Sequence, residues 1–202
     1  MQLLHQTISK LKGFKEWFDT LSLHESQLVL GLSGSVKHLA ESCAFEKLDK
    51  QLVIVTPTLL QATQTYEELS EWYDDEVVHL FPVEESLAAD FSVVSPDVVS
   101  QRIRTLDFLS RGQKGIVIVP LSGIQKLLVP AAVWKKSSIE LAMGSEIESM
   151  DAFVEQLVEL GYRRENMVAT PGEFALRGSI VDIYPLDQEY PLRLDLFDTE
   201  VD

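Results

Sequence analysis

The 202-residue chain carries 46% hydrophobic and 24% charged residues, an ordinary balance for one large folded domain or two modest ones. Its formal net charge of −15 argues against direct capture of nucleic acid, because phosphate backbones attract clustered Lys and Arg. Cys43 is the only cysteine, which excludes an intramolecular disulfide and a thiolate metal cluster, and no apolar run is long enough to span a bilayer.

The first residues, Met1-Gln2-Leu3-Leu4-His5, lack the basic and apolar regions of an export signal, so the sequence fits a cytoplasmic location. Leu3, Leu4, Ile8, Leu11, Phe14 and Phe18 recur at helical spacing and predict an amphipathic helix over residues 2–20. A short apolar run, Leu28-Val29-Leu30, then reads as a strand leading into Gly31-Leu32-Ser33-Gly34-Ser35-Val36-Lys37-His38. A helix follows from Leu39 to Phe45. Strand, glycine-bearing turn and helix are the setting of the phosphate-binding pattern G-x-x-x-x-G-K-[ST]. Gly31 and Lys37 satisfy that pattern, but Val36 stands where its second glycine belongs and His38 where its hydroxyl belongs. A β-branched residue is a poor substitute wherever φ must be positive, and His38 has no hydroxyl to place on Mg²⁺. Two readings remain: a phosphate loop that has lost its nucleotide, and a connection that only shares its spacing.

Gln51-Leu52-Val53-Ile54-Val55 predicts a strand buried on both faces, and Thr58 to Tyr73 a helix with Leu59, Ala62, Tyr66 and Leu69 on one side. Val77–Phe81 reads as another strand stopped by Pro82, and residues 83–94 as loop. Ser95-Pro96 opens a helix running to about Ser110, using Val98, Val99, Ile103, Leu106 and Leu109. Gly115–Pro120 is a third buried-type strand. This alternation predicts an α/β domain over residues 1–127 with a mainly parallel sheet. Between Lys50 and Arg102 there is no Lys or Arg while ten acids occur, so a DNA-related role would run through a protein partner.

The pattern changes after Pro130. Ser138–Met143 alternates like a half-exposed strand, and Ser149 caps a helix to Leu160 that ends at Gly161. Met167–Ala169, a Pro171-Gly172 turn, Gly178–Tyr184 and Pro191–Phe197 complete a smaller α+β module over residues 128–202 with antiparallel strands. Val201-Asp202 carries no stop signal, so the chain reads as a piece of something longer.

The strings Gly161-Tyr162-Arg163, Pro171 to Pro185 (PGEFALRGSIVDIYP) and Arg193-Leu194-Asp195-Leu196-Phe197-Asp198 resemble the N-terminal region of the bacterial transcription-repair coupling factors. The same region is similar to the excision-repair protein UvrB. Gly31–Ser35, Phe81-Pro82-Val83-Glu84 and Gly115–Ile118 extend the resemblance over essentially the whole chain. It implies a UvrB-like first domain whose nucleotide loop, Gly31, Gly34, Ser35, Val36, Lys37 and His38, is degenerate. UvrB-like proteins keep that loop intact, so Val36 and His38 favour the coupling factors. It also implies a second module that binds UvrA, the damage-recognition ATPase, with Arg163, Arg164 and Arg177 as the contact residues.

Arg forks bind carboxylates bidentately and are enriched in interface hot spots. The plainer readings are that Arg163 and Arg164 complement a helix end, and that Arg177 is a solvated strand residue. The resemblance implies no catalytic residue, metal or cofactor in this chain. Contacts to RNA polymerase and DNA, and an ATP-dependent motor, would belong to segments absent here. Two alternatives are an ATP-binding domain with a variant loop, in which Lys37 still reaches a phosphate, and a structural domain that restrains the motor.

Overall fold

Short β-branched runs alternating with helices form a parallel sheet, as burial on a sheet covered by helices requires. The structure is a computed structural model, and it describes residues 12–21, 26–83, 95–125, 128–188 and 190–202. The chain groups into two units, Met1–Glu85 with Arg111–Leu127, and Ser86–Ser110 with Leu128–Asp202. The expected division at 127/128 placed Ser86–Ser110 with the first domain, whereas the structure groups it with the second unit.

In the first unit, α1 (Lys12–Thr20) and α2 (Ser35–Leu48) precede β1 (Leu52–Thr56), α3 (Leu59–Ser70), β2 (Val78–Leu80), β3 (Ile116–Pro120) and the short α5 (Leu121–Ile124). The helix α4 (Pro96–Arg111) lies between β2 and β3 in the chain. The strand order is β1-β3-β2, all parallel, with Val53 beside Val117 and His79 also beside Val117. Phe45, Ile54, Ala62, Leu69, Val78, Leu80, Ile116 and Ile118 make the core, so the helical face predicted for residues 59–69 is the buried one at Ala62 and Leu69.

Two expectations fail here. Leu28–Leu30 forms no strand, and Leu28 and Leu30 are 83% and 78% exposed. Three apolar residues cannot hold a strand without a neighbour to accept their ladder. The run 51–55 is a strand, but it is not buried on both faces: Ile54 and Thr56 are buried, while Val53 and Val55 on the other face of β1 are half-exposed. Only the central strand, β3, is buried throughout.

The predicted helix at residues 2–20 is seen as α1, and Leu3, Leu4, Ile8 and Leu11 lie outside the described residues. Most of the loop read at 83–94 does too. In α4 the deepest residues are Ser100, Thr105 and Phe108, while the expected apolar face is half-buried. The Thr105 hydroxyl is satisfied by donating to the Gln101 carbonyl at 2.9 Å.

In the second unit, α6 (Ala131–Lys136) and α7 (Met150–Glu159) are followed by β4 (Arg163–Arg164), β5 (Glu173–Arg177), β6 (Ile180–Ile183), β7 (Leu192–Phe197) and β8 (Glu200–Val201). The sheet order is β4-β5-β6-β7-β8; β4 runs parallel to β5 and the other pairs are antiparallel. Ser149 caps α7 as predicted, accepting from the Ala152 N–H, and Phe153 and Leu157 pack onto Phe174, Val181, Ile183 and Leu196. Ser138–Met143 forms no named strand. Ile139 and Leu141 still turn inward, so the alternation reports which side is buried without reporting a ladder. Gly178–Tyr184, read as one strand, begins instead with the turn of a hairpin at Gly178-Ser179, and Glu173–Arg177 is its unpredicted first strand.

Candidate partner-binding site

Strand alternation decides which side chains share a face. Arg163 is in register with Glu173, and Glu173, Ala175 and Arg177 follow at every second residue of β5. Asp182 lies opposite Ala175, and Arg193 opposite Asp182, on that same face. The opposite face carries Phe174, Leu176, Val181 and Leu196 onto the core. The structure therefore brings Arg163 and Arg177 to one face, while Arg164, in register with Phe174, starts from the other. All three are exposed, and the Arg163 side chain is 70% so.

The two arginines are held differently from Arg193. Arg177 Nη2 donates to the Asn166 carbonyl at 3.0 Å, and the Arg177 charge also acts on Asp182. Arg163 Nη2 stands 3.7 Å from Glu173 Oε1. Arg193 spends Nε and Nη2 on the two carboxylate oxygens of Asp182, at 2.6 and 2.9 Å. That pairing holds the Asp182 carboxyl below its ordinary value. Glu173 is buried, and its Oε2 accepts the Ala169 and Thr170 N–H groups at 2.9 Å each. Those amides, then the Thr170 side chain and last Arg163, lower its pKa and favour the ionised form. The sequence reading did not single out Glu173, Asn166 or Asp182. Their roles depend on strand register and on a loop carbonyl, neither of which residue spacing displays.

At the start of α2, Gly31 and Gly34 have φ of 84° and 57°, conformations that glycine adopts at little cost. Gly34 is the N-cap and Ser35 the first helical residue. Val36 is half-exposed. Lys37 Nζ lies 3.6 Å from Glu41 Oε1, and His38 lies between Glu41 Oε2 (2.9 Å from Nδ1) and Glu68 Oε2 (3.8 Å from Nε2). The loop's cation is thus turned onto a carboxylate of its own helix. Nearby Cys43 is buried, and burial pushes its thiol up, away from nucleophilic use. Among the described residues no group of three or more His, Cys, Asp or Glu is placed to hold a metal ion. No helix among them is long and apolar enough to cross a membrane.

A mixed sheet with a basic edge, backed by one helix, is what residues 139–202 contribute, and these residues match the UvrB interaction domain family. The whole chain is 43% identical over 195 residues to the transcription-repair-coupling factor of Staphylococcus epidermidis, covering 96% of this chain and 16% of that protein. It is 40% identical over 200 residues to that of Staphylococcus haemolyticus, covering 99% of the chain and 17% of the relative. It is 40% identical over 183 residues to that of Bacillus subtilis, covering 89% and 16%. The chain corresponds to the N-terminal region of the transcription-repair-coupling factors, a segment that includes the UvrB interaction domain. It spans about one sixth of the length of these relatives.

Proposed function

We propose that this chain is a non-catalytic recruitment segment, which docks UvrA through the basic edge formed by Arg163, Arg164 and Arg177. The observation that carries this reading is the match of residues 139–202 to the UvrB interaction domain. Charge supports it. Residues 137–202 contain 15 acids and only four basic residues, Arg163, Arg164, Arg177 and Arg193. Arg193 is occupied by Asp182, so within residues 137–202 the remaining positive charge lies beside β4 and β5, and Lys135 and Lys136 precede this stretch in the same unit. A partner presenting carboxylates at guanidinium spacing complements that edge, and such charge pairs steer encounter as well as fix register. Size-exclusion chromatography of the chain with UvrA tests the reading. A co-eluting complex that dissociates as salt rises is expected, and separate elution at every salt concentration overturns it.

The first unit, in this proposal, is UvrB-like in build with a degenerate nucleotide loop, and serves as a support for the second. Gly31 and Gly34 keep left-handed conformations, which is the specific observation favouring an ATP site with a variant loop. Against it, Lys37 is engaged by Glu41 and His38 stands between Glu41 and Glu68, so two carboxylates occupy the surroundings where a triphosphate would need cations. Calorimetry with ATP and Mg²⁺ is expected to show no binding; a saturable isotherm in the micromolar range restores the ATP reading. Contacts of the whole protein with RNA polymerase and DNA, and its motor activity, are assigned in this proposal to the remainder of the longer chain.

A further inference from the structure

The connection between β4 and β5 is short for a parallel pair. Eight residues, Glu165–Gly172, join neighbouring parallel strands that ordinarily need a crossover of about a dozen residues or more. The loop therefore needs its own anchors. The Arg163 N–H donates to the Gly172 carbonyl, and the Glu165 N–H to the Phe174 carbonyl, both at 2.8 Å. These bonds close its ends. Its middle is closed by a side chain, since Glu173 Oε2 accepts the Ala169 and Thr170 N–H groups. A buried carboxylate persists only when hydrogen-bonded, and the two amides, with the Thr170 side chain, supply those bonds.

The same loop carries the Asn166 carbonyl that accepts Arg177 Nη2, and the second oxygen of Glu173 faces Arg163. We propose that Glu173 is the positioning residue of the basic edge: by pinning the Ala169–Thr170 backbone it fixes the carbonyl that orients Arg177, while its other oxygen steadies Arg163. The inference rests on the UvrA reading. Its content is that the two guanidinium groups meet a partner's carboxylates already spaced, and that preorganisation removes part of the ordering cost of binding. The depressed pKa of Glu173 agrees, because the carboxylate is the form that accepts both amides.

The test uses the whole 202-residue chain, with UvrA as the probe. Parent and Arg177→Ala are titrated first, since they examine the UvrA reading without touching Glu173. Loss of binding in the parent overturns that reading and this inference with it. Next come Glu173→Met, which keeps the volume without an acceptor, Glu173→Ala, and Glu173→Gln, which keeps an acceptor oxygen. A Met or Ala variant that retains the parental melting transition is expected to show an approximately tenfold higher Kd, on the scale of an interface residue of the second rank. Hydrogen exchange at the Ala169 and Thr170 amides should be faster in the same variant. Glu173→Gln should stay within about threefold of the parent. In an Arg177→Ala background the Met or Ala substitution should cost less than it costs alone, since coupled residues are not additive. Parental affinity in a folded Met or Ala variant, or fully additive costs, overturns the proposal. So does loss of the fold in both variants, which makes Glu173 a fold determinant instead.

Discussion

At the scale of single residues, what separates a contact residue from a bystander is how much of its hydrogen-bonding capacity the fold has already used. Arg177 and Arg193 lie on one sheet face, yet Arg193 is closed on Asp182 by two bonds and Arg177 gives one to Asn166. Arg177→Ala is therefore expected to weaken UvrA binding by about 30-fold, roughly 2 kcal/mol, and Arg193→Ala by much less. Titration calorimetry on variants with unchanged melting transitions checks this ranking. A second residue-scale prediction concerns His79 in β2, whose pKa burial lowers below 6.5 despite a hydrogen bond to the Glu76 carbonyl. The folded state then binds fewer protons than the unfolded chain. Its contribution is present in full above pH 6.5 and is lost as pH falls through the folded pKa. Denaturant midpoints measured between pH 7.5 and about 5 should fall, and His79→Gln should flatten that part of the curve.

Among the elements, periodicity is legible in two of the helices that pack onto the sheets, and less so in α4, whose deepest residues are Ser100, Thr105 and Phe108. The helix α3 buries Ala62 and Leu69 as its spacing requires, and α7 buries Phe153 and Leu157. Pairing was not legible. Leu28–Leu30 has strand composition but no ladder, and Ser138–Met143 alternates in burial without joining the sheet. The β5–β6 hairpin was hidden because Gly178-Ser179 looked like the start of a strand, when it is the two-residue turn between two. One glycine tests the packing directly. A Cβ at Gly123 in α5 would stand 2.8 Å from Val119 Cγ2 and 2.9 Å from Val83 Cγ2, in a buried position. Gly123→Ala is expected to lower stability by about 1–3 kcal/mol through overpacking, read as a lower denaturant midpoint with the slope unchanged. An unchanged midpoint contradicts the described packing of α5 on β3.

For the molecule as a whole, charge and homology point the same way. A net charge of −15, and a stretch from residue 51 to 101 without Lys or Arg, leave few places for an acidic partner or a phosphate to dock. Within residues 137–202, the arginines beside β4 and β5 are where such a partner can dock. Of the candidate site, the sequence made the three arginines legible through a family string, while the division between Arg163 with Arg177 and Arg164 needed strand register. The anchoring by Glu173 and Asn166 is visible only in the folded chain, because a backbone carbonyl and a buried carboxylate leave no mark in residue spacing. The central claim is that this chain offers UvrA a surface of the kind UvrB offers. Competition measures it most directly: labelled UvrB bound to UvrA is titrated with the 202-residue chain, and the bound label is followed by anisotropy. Full displacement by the parent, with a clear shift to higher concentration for Arg177→Ala, is the predicted result. Retention of UvrB at saturating parent chain would contradict the account.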